Sequence, residues 1–228
     1  NWDVPKHAGI TYFVLEMNQP GVVVRPLRQM NGHASFNEVF MTDARVKSVD
    51  VIGEVNRGWT VALATLAHER RLAGLFGRGQ LKGAGRAIDE YRAEQTKMLA
   101  PYIWYPQRAG RVDLVVQRAK ETGRNTDPVV RQEIAKLLSM ARAAEWTAQR
   151  AREGRKSGRP PGPEGSLGKL CASNIARAAA DLHTLISGAD AMLSGTDGAE
   201  EGLIAEILVS VPGQSIAGGT DEIQRNII

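Results

Sequence analysis

At Gly58 the chain changes period, and that change limits what it can fold into. Upstream lie short runs rich in β-branched and aromatic residues, GITYFVLEM (9–17), GVVVRPL (21–27) and FNEVFMTDARV (36–46). They are broken by Gln19-Pro20-Gly21 and by Asn31-Gly32-His33, the punctuation expected between strands. Downstream, Val61, Leu63, Leu66, Leu72 and Leu75 recur at helical spacing and predict a long helix to about Met98, despite Gly74, Gly77, Gly79, Gly83 and Gly85. A sheet segment followed by helices is an α+β chain, with 1–56 as one domain and 57–228 as the other.

The helical part divides further. Asp127-Pro128 is a start signal for a helix to about Glu153, carried by Val130, Ile134, Leu137, Leu138 and Ala141. RKSGRPPGPEGS (155–166) reads as a loop, and a further helix follows from about Ser166 to Ser187 with Leu170, Ile175, Ala178, Leu182 and Leu185 on one stripe. Another falls within 199–210. The pattern predicts an antiparallel four-helix bundle behind a partial sheet or barrel. Three or four strands without a covering layer seldom stand alone, so the sheet reads as half of a larger one.

Composition excludes several classes of function. One cysteine, Cys171, rules out an internal disulfide framework and fits a reducing compartment, and no run is apolar and long enough to span a bilayer. A cytoplasmic protein without a membrane anchor is expected. The net charge of +4 admits an anionic partner, but the arginines are interspersed with acids and no stretch interleaves basic and aromatic residues. Nucleic acid is therefore not expected as a partner, and a basic helical module binding an anionic polymer is kept only as a competing class. His7, His33, His68 and His183 show no metal spacing, and no metal is expected. Trp59 and Trp146 read as packing residues, and PYIWYPQ (101–107) as a loop over the bundle.

The closing run SIAGGTDEIQRNII (215–228) holds a Gly-Gly-Thr turn before a short helix. Gly218 and Gly219 let a backbone approach a ligand, and Thr220 is a good N-cap. Free amides there suit a phosphate, whereas Asp221 and Glu222 beside them oppose one.

The order GITYFVLEM, PGVVVRPLRQMNGHASFNEVF, VIGEVNRGW, HERR and IAGGTDEIQRNII resembles the second half of an acyl-CoA dehydrogenase, most closely the bacterial fatty-acid and steroid-side-chain members. The resemblance implies the last strands of a middle β domain followed by a C-terminal helical bundle. It implies FAD at a subunit boundary, an acyl-CoA substrate, electron-transfer flavoprotein as electron acceptor, and a homo- or hetero-oligomer, dimer or tetramer. The implied reaction is α,β-dehydrogenation, in which a carboxylate removes the α proton and the β hydrogen leaves as hydride. Many members carry that carboxylate in Tyr-Glu-Gly-Thr, but the matching run here is Ala217-Gly218-Gly219-Thr220. Another branch supplies it from the first bundle helix in a Glu-Arg pair, and Glu69-Arg70 stands at that place. Glu69 is therefore the expected base, with Arg70 supporting the helix, while Gly219, Thr220 and Glu222 match positions that approach FAD. Ala217-Gly218 in place of Tyr-Glu implies a wider acyl cavity and a bulky or branched acyl group. The family's Arg-x-x-Phe-Gly motif is missing from AKETGRNTDPVVRQ (119–132), where Lys120 and Arg124 are candidates for the phosphates and neither is assigned. That gap keeps open a non-catalytic partner subunit.

Overall fold

The computed structural model describes residues 1–76, 83–99, 106–160 and 162–228. It divides into two compact units, Asn1–Tyr102 and Ile103–Ile228.

In the first unit, β1 (Tyr12–Phe13) pairs antiparallel with β4 (Val51–Ile52), and β2 (Val22–Leu27) pairs antiparallel with β3 (Phe36–Met41) from Val22↔Met41 to Leu27↔Phe36. Strands are therefore present where the runs predict them, but they are shorter, and no closed barrel forms among the described residues. The β2–β3 ribbon is uncovered on both faces, with the apolar side chains at 23, 24, 27, 36, 39, 40 and 41 between 41% and 61% exposed. Helix α1 (Gly58–Phe76) starts directly against β1: Gly58 N–H donates to the Ile10 carbonyl at 2.7 Å, and a Cβ at Gly58 would sit 2.4 Å from Tyr12 N. That fit keeps α1 with the strands in this unit. The helix predicted to run unbroken to Met98 is instead two, α1 and α2 (Arg86–Leu99); between them, positive φ at Gly83 and Gly85 departs from helical geometry. Residues 77–82 of the predicted helix lie outside the described residues.

The second unit is built around α5 (Glu164–Ser187). Helix α4 (Pro128–Lys156) opens as the sequence predicts, with Asp127 Oδ1 accepting from Val129 N–H at 2.8 Å and Pro128 in the first turn. It extends three residues past the expected end, into the segment read as loop. Val130 and Leu137 of α4 pack with Ala179, Leu182 and Ile186 of α5, together with Val115 and Ala119 of α3 (Val112–Glu121). The start of α4 thus meets the end of α5, so the two are antiparallel. Across α5, a second cluster joins Ala176 and Ala180 to Ala191, Val211 and Ile204 and Ile207 of α6 (Leu203–Ser210). Helices α7 (Pro212–Ile216) and α8 (Asp221–Ile227) complete the unit against α5. Helix α3 was not foreseen, because its ten residues carry only Val112, Leu114, Val115, Val116 and Ala119 as apolar signal. Residues 101–105 of the predicted loop lie outside the described residues, and 106–109 form a 3-10 turn. Trp146 is 63% exposed and does not pack, whereas Trp59 stacks on His7 with ring centroids 4.3 Å apart.

Gly110 is held by both shape and dihedral. Its φ is +79°, and a Cβ there would meet the Ala176 carbonyl oxygen of α5 at 2.6 Å. Gly110→Ala is expected to cost more than about 1 kcal/mol, read as a lower denaturation midpoint at unchanged slope.

His183 is fully buried beside that turn. Its Nε2 lies 3.1 Å from the Arg111 carbonyl and so donates to it, while Nδ1 is buried with no hydrogen-bond partner among the described residues. Burial pushes its pKa below the ordinary value of 6.5, the bond to Arg111 opposes this, and Arg118 reinforces it. An unfolded chain then binds the proton more readily than the folded one, so stability rises with pH. The stability held with His183 neutral is expected to be complete above about pH 6.5 and to fall as acid titrates toward the lowered folded value. Melting temperatures between pH 5 and 7.5 should show this decline, and His183→Gln should flatten it.

Candidate flavin-nucleotide turn

In the turn at 217–221 the Gly218 and Gly219 carbonyls point in and the Gly219 and Thr220 amides point out. Gly218 (φ +67°) and Gly219 (φ +91°) both take the left-handed region. The Gln224 side-chain amide, buried beneath them, donates to the Gly218 and Gly219 carbonyls at 3.1 and 3.2 Å. In a trans peptide the N–H is antiparallel to the C=O before it, so the amides of Gly219 and Thr220 face away from Gln224. Those two amides and that of Gly218 donate to no other described residue. A Cβ at Gly218 would meet nothing within 4 Å, whereas one at Gly219 would press on Gln224 at 2.7 Å. Successive outward amides of this kind form a concave nest for an anionic group.

Thr220 caps α8 as the sequence predicts, its Oγ1 accepting from Ile223 N–H at 3.3 Å. The two acids after it have opposite fates. Asp221 is 1% exposed and turned into the unit, where Lys169 Nζ of α5 donates to its Oδ1 at 2.8 Å and Arg177 stands 3.2 Å from its Oδ2. Burial is the largest influence on Asp221 and works against its charge, but Lys169, Ser173 and Ser215 together outweigh it and hold the carboxyl below its ordinary value. Glu222 is exposed, and bonds from its own backbone N–H and the Thr220 hydroxyl hold its carboxyl low. The objection that two free acids would repel an anion at this turn is thus halved: Asp221 is offset by two cations, and only Glu222 faces outward.

The other expected residue, Glu69, lies on α1 in the first unit. It is exposed and makes no ion pair with another described side chain. Gly219, Thr220 and Glu222 are brought together at one turn of the second unit. An open cleft of about 590 Å³ at Pro106, Ala109, Arg111, Val112 and Asp113 includes none of them. Among the described residues, no group of three His, Cys, Asp or Glu could hold a metal, and no helix is long and apolar enough to cross a membrane.

A family model for the acyl-CoA dehydrogenase C-terminal domain matches residues 109–228, more than half of the chain and the whole of the turn. The chain belongs to the acyl-CoA dehydrogenase family. Acyl-CoA dehydrogenase FadE34 of Mycobacterium tuberculosis is 30% identical over 221 residues, covering 97% of this chain and 26% of that protein. Acyl-CoA dehydrogenase IpdE1 of the same organism is 30% identical over 223 residues, covering 98% of this chain and 50% of its own length. The chain therefore spans half the length of one of these relatives and about a quarter of the other. Among solved structures, the Tcur3481-Tcur3483 steroid acyl-CoA dehydrogenase superposes with a TM-score of 0.70 at 20% identity, covering 99% of this chain and 52% of that one. A glutaryl-coenzyme A dehydrogenase superposes with a TM-score of 0.64 at 18% identity, covering 97% of this chain and 50% of that one. At such identities the likeness is one of fold.

Sequence reasoning missed the Asp221 anchor. Its signal was present in α5, where Lys169, Ser173 and Arg177 recur every four residues and so share one face of the helix.

Proposed function

We propose that this chain is the later part of an FAD-dependent acyl-CoA dehydrogenase acting on a bulky or branched acyl thioester, with Glu69 as the base and the domain division near residue 56. The observation that carries the reading is the 217–221 turn. Its outward amides suit a phosphate, and the exposed Glu222 carboxylate can accept from a sugar hydroxyl, so the residues present fit a flavin nucleotide. Gly219, Thr220 and Glu222 would hold that group. When bound, FAD supplies the acceptor for the β hydrogen.

The role of Glu69 is to hold the α proton on its carboxylate as the thioester loses it. Gly218 cannot do this, having no side chain, and Glu222 is engaged by its own N–H and Thr220. The run Ala217-Gly218, without the bulk of the Tyr-Glu that the resemblance leads one to expect, supports a wide acyl cavity. One solved neighbour, the Tcur3481-Tcur3483 steroid acyl-CoA dehydrogenase, points the same way. Electron-transfer flavoprotein as acceptor, a cytoplasmic location and an oligomer belong to the same reading, and one solved neighbour is described as a two-protein complex, ChsE4-ChsE5.

Acyl-CoA-dependent reduction of an acceptor dye by the full-length protein tests it. Turnover with branched or ring-bearing acyl groups at least about tenfold above a straight short chain in kcat/KM is expected. Equal rates would remove the bulky-substrate claim.

A second reading, a non-catalytic partner within a heteromeric dehydrogenase, has one observation in its favour. Where relatives' Phe-Gly motif is missing, the cations are used within the chain: Arg118 pairs with Glu200, and Arg124 lies 3.2 Å from Asp127 and donates to the Leu185 carbonyl at 3.4 Å. Only Lys120 there is free of a described partner and exposed.

A further inference from the structure

Helix α8 is inside out. Its buried residues are the polar Asp221 and Gln224, while Ile223 and Ile227 are 50% and 55% exposed. Seven residues are too few for a helix to hold itself, and the usual apolar anchor is turned away from the unit. What fixes α8, and with it the turn that leads into it, is polar and directional.

Two polar anchors do this. Gln224 ties α8 to the Gly218 and Gly219 carbonyls, which sets the shape of the turn but does not attach it to the rest of the unit. Asp221 makes the attachment: its Oδ1 accepts from Lys169 at 2.8 Å, and Arg177, also on α5, stands 3.2 Å from its Oδ2 as a charge partner without hydrogen-bond geometry. Ser173, between them on the same face, donates to the Gln214 carbonyl of α7 at 3.1 Å and so fixes the other side of the turn to the same helix. Apolar contact tolerates sliding, but an ion pair with hydrogen-bond geometry specifies one position.

We propose that Asp221, acting through Lys169 and Arg177 of α5, is a positioning residue that sets the 217–220 turn for the flavin nucleotide. The proposal rests on the reading that this turn meets FAD. Asp221 touches no ligand; its carboxylate faces α5.

The test is FAD affinity of the full-length protein, measured by flavin fluorescence well below each variant's melting temperature. Asp221→Asn and Lys169→Met are each expected to raise the FAD dissociation constant about tenfold, the part of the broken pair's effect that reaches the turn. Lys169→Met combined with Asp221→Leu replaces the pair by apolar groups. This variant is expected to regain the parent's melting temperature while its dissociation constant stays raised, which a role in stability alone would not produce. Normal FAD affinity in the double variant overturns the proposal. Gly219→Ala, which deforms the turn itself, separates the two levels. If it weakens FAD while Asp221→Asn and Lys169→Met leave affinity within twofold, the positioning role falls and the reading of the turn stands. If Gly219→Ala also leaves affinity unchanged, the turn is not the nucleotide site and both fall.

Discussion

Glu69→Gln is expected to slow acyl-CoA-dependent flavin bleaching by about a thousandfold while leaving FAD binding unchanged. Glutamine keeps the length and shape of the side chain but cannot take the α proton, so the loss falls on chemistry rather than on binding. Folding should be untouched, because Glu69 is exposed on α1 and has no ion pair among the described residues to lose. Among the described residues of the 217–222 turn, no carboxylate stands ready to replace it. Gly218 has no side chain, Asp221 is buried between two cations, and Glu222 is engaged at the start of α8. A stopped-flow trace of flavin absorbance with excess acyl-CoA reads the effect directly. Unchanged bleaching in the variant would remove Glu69 from the reaction.

Leu137→Ala is expected to destabilise the second unit by about 3 kcal/mol. Leu137 is buried in the cluster formed by α3, α4 and α5, and two of its six buried companions are alanines, Ala119 and Ala179. Alanines on packed helices have no rotamers with which to fill a hole, so the cavity persists and its cost adds to the lost transfer free energy. Leu138, the next residue, is 45% exposed, and Leu138→Ala should cost less than about 1 kcal/mol. Urea denaturation of the two variants compares them. Equal losses would contradict the placement of the α4 face.

The stripe that buries Leu137 was legible in the sequence because amphipathic spacing is local. Val130, Ile134 and Leu137 announce one face of α4, and Asp127-Pro128 announces its start. The strands were legible for the same reason, but their lengths were not. A run such as FNEVFMTDARV is strand-like throughout, and pairing stopped at Met41 because β2 offers only six residues to pair with. The break in the predicted 58–98 helix was hidden by apolar spacing on both sides of it, although the glycines that mark it were visible. At the turn, Thr220 as a cap and the glycines as left-handed residues follow from residue type alone. The inward direction of Asp221 does not. Acids at a helix start usually face water, and only the polar face of α5, far away in the chain, explains why this one is buried.

The central claim is that the chain belongs to a working flavin-dependent acyl-CoA dehydrogenase, and the visible absorption spectrum tests it most directly. The spectrum of the full-length protein as purified should be recorded, then repeated after anaerobic addition of an acyl-CoA. A flavin band that bleaches on addition is the expected result. A protein that purifies without a flavin band, and gains none when FAD is added, would contradict the claim and leave the partner-subunit reading in its place.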